Sequence, residues 1–276
     1  MQNCKLIVSD LDGTLLDDNM NVSADNLTAI KKFKEMGIEF SVSSGRTFYE
    51  IPASVRDNPN IRYIAYSNGS VIYDREKGVN IVSNYLSTEC VNKALDVITE
   101  YSVFYAVHAG GRTYRQDCQP ECDFRFYQIN AYYEELFLSY DRVEDIEKFT
   151  RKRDDVESIV LFFHDDRELD ECMQRIDKMT EITFTSSIKH NIELCSSYAG
   201  KGTALKALRE TLCLPKESVI AVGDNQNDIS MLKEAGLAIS LENGLEEAKK
   251  FADKVICSNN DSIADYILKN IIYRNS

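Results

Sequence analysis

The sequence predicts an α/β protein in which a parallel-sheet core is interrupted by an inserted α+β domain. Three observations carry that expectation: apolar runs alternate with helical patterns at the start, the same grammar returns at the end, and the middle turns aromatic-rich and strand-like.

The first stretch reads as strand "KLIV", a helix over 24–36, strand "IEFSV", a helix near 47–56 and strand "IRYIAY". Leu27, Ile30, Phe33 and Met36 recur at helical spacing, Ser23 is placed as the N-cap, and Gly37 stands where a closing glycine belongs. Strands separated by helices of this length pair in parallel through right-handed crossovers, with helices on both faces. The last stretch gives a helix over 202–213 ended by Pro215, strand "VIAVG", and a helix near 227–235 closed by Gly236. Strand "LAISL", a helix near 244–252, strand "KVIC" and a helix to about 272 complete it. Between them "VFYAV", "RTYRQ", "SIVLFF" and "EITFTS", with helices near 87–101, 142–153 and 167–179, suit an antiparallel sheet with helices on one face. Composition shifts place the core at 1–81 and 190–276 and the insert at 82–189.

The 276 residues allow one large or two medium domains. With 43% apolar and 28% charged residues, the chain has the composition of a soluble globular protein. A formal charge of −13 argues against nucleic acid and anionic membranes as partners. No apolar stretch is long enough to span a bilayer, and Asp10 follows the N-terminus too soon for a signal peptide, so a cytoplasmic location is expected. The eight cysteines read as reduced, mostly buried thiols. The one close pair, Cys118 and Cys122, lacks the further ligands of a zinc site.

In an open parallel sheet ligands bind beyond the carboxyl ends of the strands. "LIV" is followed by Ser9-Asp10-Leu11-Asp12-Gly13-Thr14, "FSV" by Ser43-Ser44-Gly45-Arg46, and "VIAV" by Gly223-Asp224-Asn225-Gln226-Asn227-Asp228, so all three would meet on one rim. Asp10 and Asp12 are two apart and share a side of the extended chain. Carboxylates gathered without an evident cation call for a hard divalent ion, Mg2+ being the usual intracellular choice, with Asp10 and Asp224 as direct ligands. A carboxylate beside such an ion can attack a phosphoryl group, which casts Asp10 as nucleophile and Asp12 as the acid and base serving the leaving oxygen and the water. Ser44 and the amides of the Gly45 turn would donate to phosphoryl oxygens.

"DLDGTLL", "SSGR", Lys201 of "AGKGTALKAL" and "GDNQNDISML" resemble, in order and position, the four motifs of the haloacid dehalogenase superfamily. The insertion between the second and third resembles the Cof-like subfamily with a type C2 cap on a Rossmann-like core. "SNGSVIYD" at 67–74 and residues 234–261 extend the resemblance over nearly the whole chain. It implies a Mg2+-dependent phosphohydrolase acting on small phosphorylated metabolites, sugar phosphates foremost, through an aspartyl-phosphate. Asp10 would be nucleophile and metal ligand, and Asp12 the acid/base with its carbonyl on the metal. Ser44, Gly45, Arg46, Lys201 and Asn227 would bind phosphate, and Asp224 and Asp228 would hold the metal. The cap would close over the site and read the organic part of the substrate. The chain departs from the family at Leu241-Glu242-Asn243-Gly244 and at Ser262-Ile263, which bears on local turn geometry and on any substrate contact from Asn243.

Competing readings are a phosphohexomutase-like phosphoryl transferase and a noncatalytic phosphate-binding module. A calcium loop fails because its sixth and twelfth positions would be Leu15 and Asn21, or Ile229 and Ala235. A P-loop fails because its first glycine would be Cys195 and its Ser/Thr would be Gly202. Asp17 and Asp18 read as turn formers, and His108, His164 and His190 share no ligand spacing. In the insert, His108 with Arg112, Tyr114 and Arg125 faces either an anionic or sugar-like substrate or plain solvent, and the aromatics at 124–127 and 132–133 read as domain core.

Overall fold

The computed structural model describes residues 4–117, 136–185 and 191–273. The Cys118/Cys122 pair, Phe124 to Tyr127 with Arg125, Tyr132, Tyr133 and His190 lie outside the described residues. The chain divides into two compact units, one of residues 1–83 with 200–276, the other of residues 84–199.

The chain opens with β1 (Leu6–Ser9), α1 (Ala24–Glu35), β2 (Glu39–Ser43), α2 (Ala53–Arg56) and β3 (Ile61–Tyr66). The Ser23 hydroxyl accepts from the Asn26 N–H at 3.1 Å, a cap of about 1 kcal/mol, and Gly37 takes the left-handed φ of +70° that ends the helix. The helix expected near 47–56 is instead a 3₁₀ turn at Phe48–Glu50 and the single turn of α2. Pro52 divides them, because a proline pushes its predecessor, Ile51, to the extended φ/ψ that it adopts here. The hairpin β4 (Val71–Asp74) and β5 (Val79–Ser83) follows.

The second unit holds α3 (Thr88–Ile98), β6 (Val103–Ala109), β7 (Arg112–Gln116), β8 (Asp141–Val143), α4 (Ile146–Thr150), β9 (Val156–Phe163), α5 (Asp166–Ile176), β10 (Ile182–Thr185) and β11 (Asn191–Ser196). The strand order is β10-β11-β9-β6-β7-β8, antiparallel except between β7 and β8. Val91, Leu95 and Ile98 of α3 share one buried cluster with Cys172 and Ile176 of α5 and with Val107, Ile159, Leu161 and Leu194 of the sheet, so both helices lie on one face. The boundary expected at 189/190 shifts, because β11 pairs with β9 and β10. Every residue of β11 is buried, so its sequence shows none of the alternation that marks a one-sided sheet, and only its hydrogen-bond partners decide where it belongs.

The chain then supplies α6 (Lys201–Thr211), β12 (Val219–Val222), α7 (Ile229–Glu234), β13 (Leu237–Leu241), α8 (Glu246–Lys249), β14 (Lys254–Ile256) and α9 (Ile263–Ile267). The first unit's sheet runs β14-β13-β12-β1-β2-β3-β4-β5, parallel from β14 to β3 and antiparallel across the hairpin. Leu6 and Val8 cluster with Ala204, Leu205 and Leu208 of α6 and with Met231 and Leu232 of α7. Ile7 and its register partner Phe40 point the other way, where Phe33 of α1 stacks on Phe40 at 6.0 Å between centroids. Helices therefore cover both faces, and the polar residues that end β1, β2, β3 and β12 gather at one edge.

Candidate active site

Asp10 follows β1 directly, and its N–H is held by the Val222 carbonyl of the neighbouring strand at 2.9 Å. The chain then forms one wide turn, closed by the Leu16 N–H on the Leu11 carbonyl at 2.9 Å. Gly13 makes it possible: its φ is +75°, and a β-carbon there would stand 2.6 Å from Asp224 Oδ2. Any other residue would collide with the carboxylate that the turn brings close.

Asp10, Asp224 and Asp228 each offer an oxygen within 4.8 Å of the others. Among the described residues, one cation serves the group. The buried Lys201 ammonium, at the first position of α6, donates to Asp10 Oδ1 at 2.6 Å and to Asp228 Oδ1 at 2.7 Å. Asp228 Oδ2 accepts the N–H groups of Asp224 and Asn225 at 3.0 and 2.9 Å, so one oxygen of Asp228 shapes its own loop while the other holds Lys201. Asp224 Oδ1 accepts from Thr14 Oγ1 at 2.7 Å.

The charges are out of balance. Burial, then the neighbouring Asp228 charge, lift the Asp10 carboxyl well above its usual range against the pull of Lys201. Burial also raises Asp224, opposed by the Thr14 hydrogen bond. Burial alone would lower the Lys201 ammonium, but the charges of Asp10 and Asp228 more than offset it and hold it above its ordinary value. The donor set at the cluster is carboxylate oxygen throughout, which fits a hard divalent cation such as Mg2+ and would not select a soft metal.

Asp12 stands apart from this cluster. Its carboxylate takes a two-pronged contact from Arg46, Nε to Oδ2 at 2.9 Å and Nη2 to Oδ1 at 2.6 Å. Arg46, expected among the phosphate donors, is thus turned toward Asp12, and its Nη1 is anchored on the Glu50 carbonyl at 3.1 Å. Its backbone N–H donates to Ser44 Oγ at 3.1 Å. Asn227 Nδ2 donates to Asn68 Oδ1 at 3.1 Å. Asn243 is fully engaged, Nδ2 on the Gly13 carbonyl at 2.8 Å and Oδ1 on the Asn259 N–H at 2.9 Å, so it braces the turn.

Two residues at the rim had no sequence role. Thr14, quoted among the polar residues after the first strand, carries no role in the sequence reading. Asn68 and its neighbour Ser67 have φ of 52° and 49°, left-handed backbone that costs a side-chain-bearing residue of order 1–2 kcal/mol; the adjoining Gly69 was the available signal. Asp17 is a turn former as expected, its Oδ1 accepting the N–H groups of Asn19 and Asn21, whereas Asp18 ties Asn259 and Asn260 to the N-terminal segment. In the second unit, His108 is buried with Nδ1 2.9 Å from Ser158 Oγ. Tyr114 packs on Phe149 of α4 at 4.6 Å, and Arg112 pairs with Asp141 at 3.4 Å.

The sequence matches the haloacid dehalogenase-like hydrolase family over residues 7–267. The chain belongs to that family. This hydrolase is 28% identical to phosphatase YwpJ of Bacillus subtilis, over 97% of this chain and 100% of the relative. It is 26% identical to YwtE of the same organism, named a 5-amino-6-(5-phospho-D-ribitylamino)uracil phosphatase, over 97% and 98%. Among solved structures, TM0651 from Thermotoga maritima has a TM-score of 0.81 at 25% identity, covering 97% of each chain. A haloacid dehalogenase-like hydrolase from B. subtilis has a TM-score of 0.81 at 28% identity, covering 97% of this chain and 100% of that one. Among the described residues no helix of this hydrolase is long and apolar enough to cross a membrane.

Proposed function

We propose that this hydrolase is a cytoplasmic Mg2+-dependent phosphatase of small phosphorylated metabolites, sugar phosphates foremost, working through an aspartyl-phosphate on Asp10. The observation that carries the reading is the buried group of Asp10, Asp224 and Asp228, served among the described residues by Lys201 alone. Asp10 and Asp224 would hold Mg2+ by their carboxylates and Asp12 by its carbonyl, while Asp228 orients Lys201 and the Asp224 loop and stands by as a further ligand. Bound Mg2+ would shield the charge of the phosphoryl oxygens and so admit a dianion to an acidic pocket.

Asp10 attacks phosphorus, the bond to the leaving oxygen breaks, and Asp12 supplies that oxygen with a proton. Asp12 then takes a proton from water as the water attacks phosphorus, the bond to Asp10 breaks, and inorganic phosphate leaves with the Asp10 carboxylate restored. To serve the leaving oxygen, Asp12 must let go of Arg46. The Ser44 hydroxyl, the Gly45 N–H, Lys201 and Asn227 would hold the phosphoryl oxygens, preorganised donors of the kind worth most in a water-poor site. Residues 84–199 would form the cap that selects the organic group.

The names of YwpJ and YwtE support a phosphomonoester substrate. The test is phosphate release from a panel of sugar phosphates, nucleotides and phosphorylated cofactors with Mg2+ or a chelator. Release that needs the metal and ranks sugar phosphates first is expected. Isomerisation of a hexose phosphate without release would point to the mutase, and metal-dependent binding without turnover to the binding module.

A further inference from the structure

The turn that leaves β3, Ser67-Asn68-Gly69, takes no part in the chemistry above, yet its backbone has positive φ throughout. Three successive residues have positive φ, 49°, 52° and 81°, and Ser67 and Asn68 are buried. Left-handed backbone on side-chain-bearing residues persists where the surroundings impose it, and such positions cluster at functional sites.

The surroundings here are three phosphate-side segments. The Ser67 N–H donates to the Arg46 carbonyl at 2.8 Å and the Asn68 N–H to the Ser44 carbonyl at 2.9 Å. A β-carbon on Gly69 would stand 2.5 Å from the Gly200 carbonyl oxygen, so the turn is pressed against the start of the helix that carries Lys201. The Asn68 side chain reaches Asn227, whose Nδ2 donates to Asn68 Oδ1 at 3.1 Å. Asn227 Oδ1 is buried and has no hydrogen-bond partner among the described residues. One polar atom of the Asn227 amide is therefore fixed by Asn68 and the other is left for a ligand. If both amides turn over together, the pair keeps its hydrogen bond with roles exchanged and presents a donor instead of an acceptor.

We propose that Asn68 is a positioning residue for the phosphoryl pocket, acting through Asn227: its side chain orients the Asn227 amide toward the bound phosphoryl group, while its left-handed backbone keeps the Ser44 and Lys201 segments in register. The inference rests on the phosphatase reading and adds to it a residue that does not itself touch substrate.

The test is a double-mutant cycle of Asn68→Gly and Asn227→Ala. Glycine accepts the left-handed backbone and keeps the N–H to Ser44, so Asn68→Gly removes only the side chain. Two readouts are taken: kcat/KM for p-nitrophenyl phosphate with Mg2+, and the rise in Tm caused by inorganic phosphate in the presence of Mg2+. Asn68→Gly is expected to lower kcat/KM about tenfold, a loss in keeping with slight misplacement of a binding group. It should also shrink the phosphate-induced rise in Tm and leave the rise caused by Mg2+ alone unchanged. In the Asn227→Ala background the same change should have almost no further effect on either readout. Wild-type behaviour of Asn68→Gly, additive losses in the double variant, or a variant that fails to fold would each overturn the role. Should the wild type release no phosphate from any ester, the phosphatase reading falls while the cycle in phosphate-induced Tm still decides the role of Asn68; a wild type without that rise overturns both.

Discussion

Asp74 and Asp10 are both buried carboxylates on the same sheet, and their surroundings are opposite in kind. Asp74 receives two bonds from Arg62, Nε at 3.0 Å and Nη2 at 2.9 Å, and the N–H groups of Glu76 and Lys77 at 3.0 and 3.3 Å. The Arg62 hydrogen bonds, working against burial, hold its carboxyl below the usual range. Asp10 shares one lysine with Asp228 beside Asp224 and is pushed up. Where a buried charge only holds the fold together it is neutralised on the spot. At the strand ends it is left in deficit, and the proposed cation and anionic substrate would complete the set.

The largest separation between the two sites is in turnover. Asp10→Asn should lower kcat by about 10⁴-fold or more, the loss expected when a nucleophile is removed, while Asp74→Asn assayed well below its Tm should leave kcat unchanged. Stability should show the reverse. Asp74→Asn leaves Arg62 half-paired and should cost about 3 kcal/mol in urea unfolding, the low end for a broken buried pair because Arg62 keeps Glu76 at 2.7 Å. Asp10→Asn, assayed without metal at neutral pH, should hold or raise the Tm. A smaller effect is expected at Thr14: Thr14→Val removes the hydrogen bond that steadies Asp224 and should weaken Mg2+ about tenfold, read from the Mg2+ dependence of Tm or of rate.

The pH dependences should run in opposite directions. Asp74, depressed in the folded state, contributes stability above the ordinary Asp value of about 3.9 and loses it as pH falls through its lower folded value, so the gap between wild type and Asp74→Asn closes in acid. Asp10, raised in the folded state, favours folding below that ordinary value and loses this contribution as pH rises through its higher one. In chelator, the wild type should therefore lose Tm relative to Asp10→Asn as pH climbs from 4 to 8, a trend that thermal melts across that range would check. Parallel slopes would break the contrast.

Much of this was legible in the sequence, and the pattern of what was not is physical. Asp10, Ser44 and Asp224 could be placed because each follows an apolar run that reads as a buried parallel strand, and such strands deliver their next residues to one edge. The hairpin β4–β5 was missed because β4 is four residues long and β5 is partly exposed, with Val79 half exposed, so neither produces a strong period. Strand β11 was misplaced because it is buried on both sides. The pairing of Arg46 with Asp12 was not visible, because sequence position cannot reveal that the two lie within reach. Asn68 escaped because a left-handed backbone leaves no mark in composition, and Thr14 because its partner, Asp224, is 210 positions away.

The most direct test of the central contrast is phosphate release by wild type, Asp10→Asn and Asp74→Asn, each with Mg2+ and with chelator. Release that collapses on chelation, returns with Mg2+, vanishes in Asp10→Asn and survives in Asp74→Asn is the predicted result. Release that persists in chelator, or in Asp10→Asn, would contradict the assignment of the unbalanced carboxylates to catalysis.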